Sequence, residues 1–511
     1  MTSTRAGAFL RPMNTSSTTG GGAVASSTAF DPPYGGSGRP LTWSMLMSAL
    51  LYFLAFHIWA ASGIFLGELT CCLQLFNSSV CHGPLASRAL ESEVTACASS
   101  WSVVNGLAFH LPLLVMTGHL SKISDQAGRK PIMLLSFAGM IVSAGGYAAV
   151  AYLELPQRRA APIGMPALVV AGMSGSFATF NAATFCFAAD VHDPSSSPPL
   201  ERVFGWLELA IATGGIFGNI ASGQLFAIHP VAPFAAAAVL WSLGALVVAI
   251  AVRESVAHAS PRTLYCTGGL QGGGDGSGGG CSGDGGDGCG LCRTWLDTTS
   301  STLELLRPSA QRHLLGTTTP AWVWCISFML FLMVQSEVPS LLPLYLALTL
   351  RFSPREVGTL LSLTAGARAF SLLVLLPLLT QWAPDRNARA LTLLRGAAAV
   401  GVLAIALYCL PRPRQGDGGG FVFGVGRYGT YAVALLEGLK ALAFPLIRAA
   451  LSRMVTSQGA VQGLIANMQT LATLCDPFVF GARAHQLCPR AHVRARTRRH
   501  AKSEAAPPFM T

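Results

Sequence analysis

Charge is what this sequence most lacks. Charged residues are 11% of its 511 positions, against roughly 25% in a soluble domain. Acidic residues are the scarcer sign, 23 against 34 Lys and Arg. So few charges cannot coat a water-soluble chain of this length, and a soluble enzyme is excluded. No G-x-x-x-x-G-K-[ST] stretch occurs, which argues against an ATP-driven pump, because that loop cradles the phosphates. No clustered His or Asp motif falls at membrane level, which argues against a membrane-embedded enzyme. No cofactor and no metal is expected. Nucleic acid is not an expected partner either, because the +11 excess is scattered between apolar blocks, as in membrane-surface loops. The first forty residues hold no apolar run, so no cleaved signal peptide is expected. Residues 1–42 read as a disordered cytoplasmic tail, rich in Ser, Thr and Gly.

What is abundant is apolar sequence: 51% of the chain, with a mean hydropathy of +0.49. Long apolar blocks recur, each matching the ~20 residues that cross a bilayer as helix. They run Trp43–Leu66, Ala98–Leu120, Pro131–Leu153, Ile163–Ala189, Val203–Ala227 and Val231–Val252. After a break come Pro320–Leu348, Val357–Trp382, Ala390–Leu410, Tyr431–Ala449 and Ala460–Phe480. The blocks are too long and too little alternating for barrel strands, and lipid tolerates no open sheet edge, so helices are predicted. The bridge 253–319 is polar, and its Gly-rich centre reads as a flexible cytoplasmic linker that buries nothing. The expected organisation is a six-helix group over 43–252, the linker, an incomplete second group over 320–480, and a basic tail over 481–511.

Basic loops set the orientation. Lys122, Arg129 and Lys130 follow the second block, and Arg253, Arg262, Arg293, Arg307 and Arg312 lie in the bridge. Both segments are placed on the cytoplasmic side. The loop 67–96 holds one basic residue, Arg88, and is placed outside or in a lumen. Arg158, Arg159, Arg412, Arg414 and Arg427 are exceptions to the rule. The outside loop carries Cys71, Cys72, Cys81 and Cys97, which an oxidising compartment allows to pair. It also carries the sequon Asn77-Ser78-Ser79, a glycosylation candidate. Cys289-Gly290-Leu291-Cys292 is one CxxC without a second pair, a spacing that low-complexity chain produces by accident.

Ser121-Lys122-Ile123-Ser124-Asp125-Gln126-Ala127-Gly128-Arg129-Lys130 joins the second and third blocks. It resembles the signature G-x-x-x-D-x-x-G-R-K of the major facilitator superfamily. Asp125, Gly128, Arg129 and Lys130 match, and Ser121 stands where the signature opens on glycine. The chemistry of the turn is legible by itself. Gly128 permits a tight backbone. Asp125 can accept from a helix N-terminus or an arginine, and Arg129 and Lys130 anchor at the inner leaflet. The resemblance implies an all-α membrane protein of two bundles around a central cavity. Here the bundles hold six plus five helices, with the twelfth missing. It also implies that this turn locks the halves in one access state.

The stretch from Leu344-Tyr345 to Pro377 resembles the seventh and eighth spans of fungal drug-efflux-like and solute-carrier-like members. Tyr345, Arg351, Phe352, Ser353, Glu356 and Gly358 carry that likeness. In the fifth block, Gly214-Gly215-Ile216-Phe217-Gly218-Asn219 with Ser222-Gly223 suits tight helix packing. It partly resembles the superfamily's antiporter motif, with Asn219 where that motif has proline.

Ionisable residues inside lipid are costly and mark functional pathways. The first group offers Glu208, with His57 and His110; the second offers Glu337, Arg368, Glu437, Lys440 and Asp476. Glu337 lies mid-block beside Gln335 and is a candidate partner for Arg368, with Glu437 and Asp476 as competitors. Glu437 and Lys440 share a helix face and are expected to pair locally. A carboxylate in low dielectric can trade protons with a pathway. For Glu208 and Glu337 that reading stands beside a structural ion pair. The histidines read as packing residues.

Function follows from the resemblance: secondary transport of a small organic solute, coupled to protons, by a multi-pass protein of the plasma or vacuolar membrane. The lipid bilayer is its other partner. A non-transporting sensor on the same scaffold is the alternative. No twelfth apolar block follows Phe480, so an incomplete second half is expected, and an inactive truncated or altered-frame product is a further alternative.

Overall fold

A computed structural model describes residues 43–76, 81, 88–192, 200–255, 352–382, 386–408, 411–413, 421–423, 427–452, 459 and 462–474. Before the bridge come α1 (Trp43–Leu75), α2 (Arg88–Ala127) and α3 (Arg129–Tyr152). They are followed by α4 (Gln157–Met173), α5 (Ser176–Val191), α6 (Leu200–Ile228) and α7 (Ala232–Ala251). After it, α8 (Pro354–Phe370) passes through one π turn (Ser371–Leu375) into α9 (Leu376–Trp382). Then come α10 (Arg386–Tyr408), α11 (Arg427–Leu439), a 3-10 turn (Lys440–Leu442) and α12 (Ala443–Ser452). Residues 462–474 are helical. The described strands are β1 (Pro411–Pro413) and β2 (Phe421–Phe423), paired antiparallel. Eight helical segments among the described residues are long and apolar enough to cross a membrane. The expected span Pro320–Leu348, the centre of the bridge and the basic tail lie outside the described residues.

Helices overrun the apolar blocks. α1 continues from Leu66 to Leu75, and α2 begins at Arg88 rather than Ala98. Hydropathy marks only the lipid-facing length, whereas a helix satisfies its own backbone bonds beyond it. The block Ile163–Ala189 is not one helix. It breaks at Gly175, whose φ of 78° is left-handed. A side chain there would press on Leu120 and Thr179. α8 starts with a capping box: Ser353 N–H donates to Glu356 Oε2 at 2.8 Å, and Glu356 N–H donates to Ser353 Oγ at 3.3 Å. The π turn precedes Pro377, which has no N–H to continue the ladder.

The core before the bridge is aromatic. Tyr52 stacks on Phe180 at 3.9 Å and meets Phe137 edge-on at 5.0 Å, while Trp241 Nε1 donates to the Tyr52 carbonyl at 3.2 Å. Large apolar side chains also point outward, Ile250 with 77% of its surface exposed. A surface of Val, Leu and Ile on helices this apolar suits lipid rather than water.

α6 is the hinge of the packing. Gly214 and Gly218 lie against the α1 backbone at Leu54, and Ser62 and Ser222 hydroxyls meet at 2.7 Å. On its other side α6 packs on α8, from beyond the bridge. A Cβ on Gly358 would stand 2.5 Å from the Asn219 carbonyl oxygen, and Ser362 Oγ donates to the Ile216 carbonyl at 2.7 Å. The small-residue run in the fifth block thus serves two contacts.

At one end, disulfides join Cys71 to Cys97 and Cys72 to Cys81. Their Cα separations of 5.8 and 5.7 Å suit the bond. The Arg158 amide donates to Gln74 Oε1 at 3.0 Å, so the start of α4 belongs to this same end. Peptide mapping of the unreduced protein should recover Cys71–Cys97 and Cys72–Cys81. Recovery of Cys71–Cys81 instead would reject this arrangement of α1 and α2. Cys97→Ser should lower thermal stability by about 2–4 kcal/mol, the usual worth of a native crosslink.

Candidate functional site

The turn between α2 and α3 closes the opposite end. Gly128 has φ 104°, and the Glu254 carboxylate fills the space a side chain would need. Glu254 accepts from the amides of Arg129 (2.7 Å) and Lys130 (3.1 Å), the unsatisfied donors that open α3. Arg129 is only 3% exposed. Its guanidinium pairs with Asp125 at 2.5 Å and Asp190 at 3.0 Å and donates to Ser124 Oγ at 3.1 Å. Lys130 Nζ donates to the Ala249 carbonyl at 2.7 Å. Asp125 Oδ1 also accepts from the Gly459 amide at 3.1 Å, a bond to the far side of the bridge. One turn on, a Cβ at Gly463 would lie 2.8 Å from Ser121 Cβ. The close approach for which the signature uses glycine at position 121 is kept here by a glycine on the partner helix.

The second cluster lies at the centre. Glu208 on α6 is 2% exposed. Its Oε2 accepts from Arg368 of α8 at 2.5 Å, and its Oε1 lies 3.6 Å from Nε of Arg448 on α12. Arg368 sits 5.2 Å from the Phe444 ring centroid, and Arg448 4.2 Å from that of Phe185. Arg448 also donates to Gln462 Oε1 at 2.8 Å. Glu437 is paired with Lys440, as their spacing predicted. These groups line a cavity of 420 Å³ bounded by residues from both sides of the bridge. Its lining also includes the aromatic side chains of Trp59, Trp101, Phe109, Tyr147 and Phe177. Gly67 and Ala98 also line it, each within about a helical turn of the disulfide cysteines, so the cavity extends towards that end.

Of the expected partners of Arg368, Glu437 is corrected by this geometry: it pairs with Lys440, while Glu208 holds Arg368, because α6 and α8 pack face to face. Glu337, Asp476 and Asn77 lie outside the described residues. His110 bonds its own helix through the Gly106 carbonyl at 2.9 Å, and His57 bonds Asn219. Arg448, Asp190 and Glu254 escaped sequence reasoning. Each sits at or just past the end of an apolar block, where a charge reads as an interfacial anchor. An acid directly after a span, facing a basic turn across the same end, was the available signal.

The sequence profile of the Major Facilitator Superfamily matches residues 102–474. The chain belongs to that superfamily. It is a multi-pass membrane protein of a transporter family, not an enzyme. The human organic anion transporter MFSD10 (TETRAN) has a similar crystal structure, with TM-score 0.56 and 17% identity over 85% of this chain and 91% of that one. Peptide transporter POT, crystallised with sulfate, gives TM-score 0.52 and 12% identity over 87% of this chain and 89% of that one. At such identities the likeness is one of fold.

Substituting Arg129 leaves two carboxylates without their cation, so Arg129→Ala should destabilise the protein by about 3 kcal/mol. Lys130→Ala removes a bond to one carbonyl and should leave the melting temperature nearly unchanged. Melting curves in detergent decide it; equal curves for the two variants would reject the buried-cluster account.

Proposed function

We propose that this chain is a secondary active transporter of a small organic solute, working by alternating access and coupled to protons. In this reading the solute sits in the central cavity, and the groups 43–252 and 320–480 rock about it in the plasma or vacuolar membrane. Asp125, Gly128, Arg129 and Lys130 form the gate on the cytoplasmic side. The reading is supported by the bond from Asp125 to Gly459, which joins the two sides of the bridge at the end of the α2–α3 turn. The cavity extends towards the other end.

The observation that carries proton coupling is the ion pair between Glu208 and Arg368. A buried carboxylate that bonds across the halves makes their contact depend on its charge. Ionised, it holds Arg368 and Arg448; protonated, it gives up most of that attraction. Ionisable groups face this cluster from α1 (His57), α5 (Cys186), α8 (Arg368), α11 (Glu437) and α12 (Arg448). Glu337 remains the second candidate for the proton site.

Glu208→Gln mimics the protonated acid. In proteoliposomes it should abolish accumulation driven by a pH gradient while leaving solute counterflow within about threefold of the parent, since exchange needs no net proton movement. Full pH-driven accumulation in Glu208→Gln, with its loss in Glu337→Gln, would move the proton site to Glu337. A reporter at Gly280 should prove cytoplasmic, and Asn77 glycosylated or labelled from the opposite side.

A further inference from the structure

Two guanidinium groups reach into the cavity, and they share one carboxylate, that of Glu208. Glu437, the other acid in the lining, is already matched by Lys440. Among the described residues, a proton on Glu208 would therefore leave both guanidinium groups without an acid to balance them. A net charge in a low-dielectric site is costly unless a counter-charge joins it. The Arg368 Nε is buried without a hydrogen-bond partner. It lies in the wall beside Phe444, and its outer nitrogen holds Glu208.

The rest of the lining has a different chemistry. Trp59 lies 5.7 Å from Phe109 and 5.6 Å from Tyr147, ring to ring. Set among these rings are polar atoms with nothing to bond: Trp59 Nε1, Asn105 Oδ1 and Asn181 Oδ1, all buried and all on residues that line the cavity. The amide oxygens accept, and the indole donates. A ligand body suited to them is flat and apolar with a hydroxyl or N–H at its far end. The volume of 420 Å³ suits a molecule of one or two fused rings rather than a peptide chain or a large lipid.

We propose that the solute is an aromatic organic monoanion, its carboxylate bound by Arg368 and Arg448 and its ring packed against the aromatic lining of Trp59, Phe109 and Tyr147. This rests on the reading of Glu208 as the proton site and extends it. A proton from the loading side adds to a Glu208 carboxylate oxygen, forming an O–H bond and releasing the guanidinium groups. The solute carboxylate then takes the place of that negative charge. One proton and one monoanion enter together, so no net charge moves. On release, the solute leaves, Glu208 gives its proton to water, and the ion pairs re-form.

The test uses the purified full chain and a hydroxynaphthoate, with the neutral hydroxynaphthamide of the same shape as its control. Quenching of Trp59 and Trp101 fluorescence reads binding. The amide should bind at least about tenfold more weakly, since it cannot make the charge-assisted bonds. Equal affinities would overturn the anion assignment, whatever Glu208 does. Arg368→Gln should weaken the naphthoate by about tenfold and leave the amide unchanged; an equal loss for both makes Arg368 structural and overturns it as well. In proteoliposomes an inward proton gradient should drive hydroxynaphthoate uptake, and a potassium diffusion potential should not. Uptake that follows the potential would overturn the one-proton exchange. Glu208→Gln should still bind the naphthoate yet lose gradient-driven accumulation. Retained accumulation with normal anion selectivity would sink the proton role of Glu208 while leaving the anion site standing.

Discussion

A carboxylate buried between two guanidinium groups from the other side of the bridge constrains the rest of this structure. Removing three charges from water is costly, and their mutual attraction offsets that cost only while all three stay together. Such a cluster is a poor choice for stability alone; apolar side chains of the same volume serve at least as well. Its merit in a transporter is that it can be dismantled. In the proposed reading, one proton on Glu208 changes the balance at the contact between α6 and α8.

The glycines of α6 make that contact specific. Residue numbers along the interface run in opposite senses: Glu208 meets Arg368, Gly215 meets Ala365, Ile216 meets Ser362 and Asn219 meets Gly358. The helices are antiparallel. With no side chain at Gly358 and a hydroxyl bond from Ser362, the backbones approach closely and their register is set. A slide of one turn, about 5.4 Å, would leave Glu208 opposite no cation. Packing in lipid has little hydrophobic drive, so small residues do the work of alignment, and the ion pair reports whether alignment holds.

Eight of the expected spans and the α2–α3 turn were legible in the sequence because they depend on local properties. Apolar length predicts a crossing, and G-R-K after an acid predicts a tight basic turn. Glu437 and Lys440 were legible for the same reason, being neighbours on one helix face. Arg368 was not, because its partner lies 160 positions away and is chosen by which helices pack. Arg448 was hidden by its place at the end of an apolar block, where a cation is ordinarily an anchor; the ring of Phe185 and the side chain of Gln462 keep it inside. Ser121 departs from the signature, but what the contact needs is a small total size, and Gly463 provides the other half.

The central cluster and the turn between α2 and α3 are physically continuous. Arg448 bonds Gln462, and Gln462 in turn bonds Ser452. Gln462 adjoins Gly463, which lies on Ser121, and is three residues beyond Gly459, whose amide is held by Asp125. Asp125 pairs with Arg129, and Arg129 with Asp190. A change in the charge of Glu208 therefore acts on an arginine bonded to Gln462, three positions from the Gly459 amide that Asp125 holds. Contiguity supplies a route and not an energy. The energy is accessible from a cycle of Glu208→Gln and Asp125→Asn, in which coupled sites give a double variant that differs from the sum of the singles by 0.5 kcal/mol or more, the order expected along such networks. Independent sites would add, and the turn would then be uncoupled from the charge of Glu208.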